Sequence, residues 1–126
     1  MANPRDPLAA FDDDLLDAVG DDAGIGPARL RTIARDHQEG VRDLPGVDDI
    51  VYEWRNQFHR DPLVHRDSDV YVLALRNHVW TEFGDRLELD DAERDALRTL
   101  HDEQARRFVG ETTRLDDDEA VVLTRP

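Results

Sequence analysis

"VYVLALRNHVWTEFG", residues 70–84, is the stretch on which the fold turns. Val70 to Leu75 are apolar without interruption, so they can be read in two ways. As a helix, Val72, Leu75, Val79 and Phe83 keep a 3.6-residue phase through Trp80 to Gly84, with Asp67 or Ser68 as the cap. As a strand, the six residues form a short run with β-branched Val70 and Val72, of the kind buried on both faces. The continued phase makes a fourth helix the expectation, with a buried strand as the alternative.

Working outward, the downstream helix is the clearest in the chain. Asp90 and Glu93 form a capping box, Leu97, Leu100 and Phe108 mark an inner face, and Gly110 ends it. "ETTRLDDDEAVVLTRP", residues 111–126, carries two β-prone patches around an acidic turn and is read as a small hairpin, an edge strand or a flexible tail. Upstream, "HRDPLVHRDSD", residues 59–69, is polar, contains Pro62 and is expected to be a loop. Asp48 can cap a third helix with Val47, Ile50, Val51, Trp54 and Phe58 inward, although Ile50, Tyr52, Trp54 and Phe58 also fit a strand's period of two. Gly26-Pro27 opens a second, whose stripe is Leu30, Ile33, Ala34, His37, Val41 and Leu44, closed by Pro45-Gly46. A first helix is expected over 7–19, with Leu8, Phe11, Leu15 and Val19 on one face and Gly20 as its stop. The expected fold is therefore mainly α: a compact helical domain of four or five helices over 1–110, then a C-terminal β element or tail over 111–126.

Charge bounds the setting. Thirty acidic residues face sixteen basic ones for a net charge of −14, and every basic residue is Arg, with no Lys. Composition of this kind alone would suggest disorder, but apolar residues recur at core spacing and eight aromatics need burial. The expectation is a protein adapted to molar salt in a cytoplasm of haloarchaeal type. There the Debye length is ~3 Å, so an acidic surface does not by itself exclude nucleic acid, and recognition must rest on short-range contacts. With no cysteine, disulfides, thiolate zinc sites and thiol catalysis are excluded. No run approaches ~18 apolar residues and no leader pattern opens the chain, so a soluble cytoplasmic protein without membrane partners is expected.

Three candidate sites emerge. Gly24-Ile25-Gly26-Pro27-Ala28-Arg29 resembles the second half of a helix-hairpin-helix motif, a nucleic-acid-binding element in which a Gly-hydrophobic-Gly turn and the next helix N-terminus meet a phosphate. The resemblance implies Gly24, Gly26, Arg29 and Arg31 as the contacts. Ala23 stands where that family has Pro and Leu30 where it has a small residue. The second candidate is the 59–69 loop, where His59, Asp61, His65 and Asp67 are of types that bind zinc, manganese or iron. The third is an interaction patch of Tyr52, Trp54, Tyr71 and Trp80, since six of the eight aromatics crowd one third of the chain. An oligomer through 70–75 belongs to that reading.

Catalysis has little footing. Ser68 is the only serine and lacks a nucleophile elbow, no cofactor fingerprint occurs, and thirty carboxylates offer no preferred acid/base pair. The leading expectation is a non-catalytic protein-interaction or regulatory module with a protein partner or a second copy of itself. Nucleic-acid binding through the GIGPAR turn and metal binding in the His59–Asp69 loop are the alternatives.

Overall fold

A computed structural model describes residues 5–43, 46–57, 60–76, 78–110 and 114–126. The elements run α1 (Asp13–Ala23), α2 (Pro27–Asp43), α3 (Val47–Gln57), β1 (Leu63–Arg66), β2 (Val70–Leu75), α4 (Val79–Arg86), α5 (Asp91–Val109), α6 (Arg114–Asp117) and β3 (Glu119–Thr124). The protein is mainly helical with a C-terminal strand, and among the described residues six helices stand where four or five were expected.

The expected fourth helix is corrected. Residues 70–75 form β2, the centre of a three-stranded antiparallel sheet ordered β1-β2-β3, and all six of its side chains are buried. Only Val79, Trp80 and Phe83 of the helical phase lie in a helix, the short α4, which starts after a turn closed by Val79 N–H to Arg76 O. Partners distant in sequence decided the outcome. Val70 to Leu75 pair in register with Thr124 back to Glu119, and burial from both faces removed the polar side by which a strand would have shown its period.

The 59–69 loop is corrected in part, because Leu63–Arg66 is β1. It forms a hairpin with β2 across a register irregularity between Leu63 and His65. Asp67 makes the turn: its Oδ1 accepts the N–H groups of Asp69 and Val70. Arg125 and Arg5 then clamp that turn from the two ends of the chain, onto the carbonyls of Asp67 and Ser68 respectively.

The first helix lies further along than expected. Residues 7–10 form a turn in which Asp6 accepts the N–H of Leu8, and α1 begins only at Asp13. Gly20 is no stop but lies inside α1, where a Cβ would meet Pro27 Cα at 2.7 Å. Here α1 lies directly against the start of α2, an approach that only glycine allows. Helix α5 carries the expected capping box, with Asp90 Oδ1 accepting Glu93 N–H at 2.8 Å and Glu93 Oε1 accepting Asp90 N–H at 3.1 Å.

The core joins Leu15, Leu16 and Val19 of α1, Leu30, Ile33 and Val41 of α2, Leu97 and Leu100 of α5, and the whole of β2. β3 is an edge strand in topology, but its outer edge is sealed by side chains. Trp80 Nε1 donates to Ala120 O (3.3 Å), Val122 N–H donates to His101 Nδ1 (2.9 Å), Gln38 Nε2 donates to Val122 O (2.8 Å), and Thr124 N–H donates to Gln38 Oε1 (2.9 Å). Gln38 thus presents its amide as a neighbouring strand would present a peptide. Residues 119–124 are consequently neither a self-contained hairpin nor a tail. Among the described residues, no helix is long and apolar enough to cross a membrane.

Candidate functional site

The GIGPAR turn is bound into the fold. Gly24, at φ 76°, closes α1 with its N–H on Asp21 O, and Gly26, at φ 90°, directs its N–H to Gly20 O at 3.0 Å. Pro27 has no N–H to offer. Arg29 pairs with Glu93 of the α5 capping box, and Arg31 pairs with Asp17 (2.8 Å) and Asp13 (3.7 Å). The two arginines therefore tie α2 to α5 and α1.

His59 lies outside the described residues. The remaining members of that candidate set are occupied with shaping the chain. Asp61 accepts Leu63 N–H and grips Arg55 with both oxygens (3.1 and 2.9 Å), which together hold its carboxyl below the usual range. His65 Nε2 meets Asp67 Oδ2 at 3.0 Å, and that contact, with the turn N–H groups, lowers Asp67. The His65 ring stacks on Phe108. Among the described residues, no three metal-ligating side chains come together.

The aromatic set divides, which corrects the idea of one four-residue patch. Trp80 is buried in the core, 2% exposed, and Trp54 is half-buried with its ring edge-on to Phe83. With all of β2 buried, residues 70–75 are closed as an oligomer seam. Tyr52 is 70% exposed, and among the described residues it is the only large hydrophobic side chain left in solvent. Tyr71 is itself buried but lines the same cleft as Tyr52.

That cleft, of about 450 Å3, lies where α3 faces β1 and β2. Val51 and Leu63 give it an apolar lining, and Tyr71 lies under the Arg125 guanidinium at 4.7 Å while its hydroxyl donates to Asp48 at 2.7 Å. Burial, reinforced by Asp48, pushes the Tyr71 phenol up, so it stays a protonated donor. Asp48 and Asp61 are both engaged by these partners. Arg66, exposed on β1, lines the cleft and makes no ion pair among the described residues. It is an exposed cation in a strongly acidic chain, and it lines the same cleft as the exposed Tyr52. The expectation of a loop over 59–69 hides the place of Leu63 and Arg66 in this cleft, although Leu63-Val64-His65-Arg66 followed by the turn residues Asp67-Ser68-Asp69 is a hairpin signal.

A second polar group of interest lies deep in the core. His37 and His101 are fully buried with ring centroids 5.0 Å apart, amid Phe11, Trp80 and Phe83. Nδ1 of His101 accepts from Val122, and Nδ1 of His37 lies 3.3 Å from Gln38 Nε2. Both rings are therefore neutral with the proton on Nε2, which finds no hydrogen-bond partner among the described residues. Burial pushes His37 down to about 3 and His101 well below its usual value. Both rings are closed off from solvent, at 2% and 0% exposure, and pack as part of the core.

No curated protein and no solved structure matches this sequence. A family model matches residues 9–125, from the turn before α1 to the residue after β3. The chain belongs to the family described as a domain of unknown function, DUF8048.

Proposed function

We propose that this protein is a non-catalytic protein-interaction module of a salt-rich cytoplasm, and that it receives its partner in the cleft between α3 and the β1–β2 hairpin. The observation that carries the reading is the exposure of Tyr52 at 70% on the rim of that cleft, beside Arg66. Tyr and Arg are the side chains that most often anchor interfaces, because each brings a large flat surface with polar groups at its end. Arg66 adds a short-range contact for a carboxylate, the kind that outlasts screening in molar salt. The salt-rich setting is supported by the charge of −14 and the absence of Lys, together with arginines that are largely committed to ion pairs such as Arg31–Asp17 and Arg98–Glu119.

The test is capture from a lysate of the source cells in about 2 M KCl, with the wild type, Tyr52→Ser and the distant Asp91→Asn as baits. A protein held by the wild type and Asp91→Asn, lost with Tyr52→Ser, and bound in fixed stoichiometry when purified supports the module. Concentration-dependent dimerisation lost in Tyr52→Ser identifies a second copy as the partner. A monomer that retains nothing through Tyr52 refutes the reading.

A further inference from the structure

The two edges of the sheet are finished differently. On the outer edge of β3 the side chains of Gln38, His101 and Trp80 take up the backbone N–H and C=O groups. β1 forms the opposite edge, and among the described residues no strand pairs with its other side. An open strand edge is a template for pairing, so a fold that seals one edge with side chains and not the other has a place where a further strand fits.

The hydrogen-bond pattern shows which groups face outward. Asp67 N–H donates to Val70 O at 3.1 Å, which makes Asp67 and Val70 a bonded pair. Bonded and non-bonded pairs alternate along an antiparallel ladder, so the next pair, Arg66 with Tyr71, is non-bonded, and Arg66 points its N–H and C=O away from β2. Neither group has a partner among the described residues. The side chains of this edge are aimed as well. Leu63 and Arg66 are an odd number of positions apart and would lie on opposite faces of a regular strand. The register irregularity between Leu63 and His65 absorbs one residue, so both line the Tyr52 cleft, while His65 stacks on Phe108 of α5.

We propose that the partner enters as a β-strand: an extended segment that pairs with the outer edge of β1 at Arg66, with a carboxylate beside the Arg66 side chain and an apolar residue in the cleft. This rests on the reading of the cleft as an interaction site and names the form its partner takes. Side chains of an added strand alternate, so every second one enters the cleft, where Val51 and Leu63 offer an apolar lining. Backbone hydrogen bonds carry no net charge and are not screened by molar salt. A second copy of the chain is the poorer occupant, because pairing two β1 strands about Arg66 sets like charges directly opposite each other.

The experiment selects short random displayed peptides on the wild-type protein in about 2 M KCl, then synthesises a recovered peptide with each backbone nitrogen methylated in turn. Strand addition predicts a loss of about tenfold at alternate positions and little between them, because only every second N–H faces β1. The Arg66 amide should exchange more slowly in the complex. Arg66→Ala keeps the N–H and should weaken binding less than Arg66→Pro, which removes it at a position β2 does not use. The methylation scan is read on the wild-type chain, so it decides the proposal even where Arg66→Pro fails to fold. Tyr52→Ser separates the two readings. Full affinity in Tyr52→Ser with the alternation kept supports the strand and removes the cleft anchor. Affinity lost in Tyr52→Ser without alternation in the wild type keeps the cleft and overturns the strand. A folded wild type that retains no peptide, or whose Arg66 amide is protected by self-association alone, also overturns the proposal.

Discussion

Mild acid should destabilise this protein through its two core histidines, well above the pH at which carboxylates matter. In the native state His37 is held neutral, its pKa pushed from 6.5 to about 3 by burial and secondarily by the charge of Arg86. In the unfolded chain the same ring takes up a proton near 6.5. As pH falls through that value the unfolded state gains a proton that the native state refuses, so stability is complete above about pH 7 and is lost steadily towards about pH 3. Between about pH 7 and pH 5 the loss is about 2 kcal/mol for His37 alone. His101, lowered by burial and then by His37, adds a loss of the same sign. Protonating His101 at Nδ1 would also cost Val122 its acceptor. Against a typical total of ~5–15 kcal/mol, this is a large fraction. Asp61, Asp67 and Glu93 are lowered carboxylates, so their stabilisation is lost only as pH falls below about 4, beneath this window. The assay is urea unfolding at a series of pH values in constant high salt, comparing the wild type with His37→Phe/His101→Asn. The asparagine keeps an acceptor near Val122 N–H, and neither new side chain titrates. Stability that is flat from pH 7 to pH 5 in the wild type, or that falls equally in the double variant, would refute the reasoning.

Three further outcomes are expected. Gln38→Leu strips Val122 O and Thr124 N–H of their partners inside the core, and should cost about 2–5 kcal/mol in urea unfolding; a loss under ~1 kcal/mol would mean that water reaches that edge. Gly20→Ala places a Cβ 2.7 Å from the Pro27 backbone and should cost about 1–3 kcal/mol, whereas Gly40→Ala, which meets nothing within 4 Å, should be neutral or stabilising. Lowering KCl from about 3 M to about 0.1 M should lower the melting temperature, because a charge of −14 loses its screening; an unchanged value would remove the argument for salt adaptation.

Local signals proved readable wherever their chemistry lies within a few residues. The Asp90–Glu93 box is closed by adjacent turns of one helix, and the stripe of Leu30, Ile33, Ala34, His37 and Val41 is buried as its spacing predicts. Sequence by itself therefore determined α2 and α5, the acidic Lys-free composition, and the β tendency of the last residues, while α3 fits a period of two as well as a helix. Only tertiary structure decided that 70–75 is a strand, because the partner that makes it one is Glu119–Thr124, some fifty residues away in the register, and burial on both faces erases the alternation that would have marked it. The same holds for the candidate sites. Exposure separated Tyr52 from Trp80, which a list of aromatics treats alike. Long-range ion pairs took Arg29 and Arg31 into the scaffold. Helix caps and stripes are governed by neighbours along the chain, whereas strand pairing, burial and long-range ion pairing depend on residues that become neighbours only when the chain has folded.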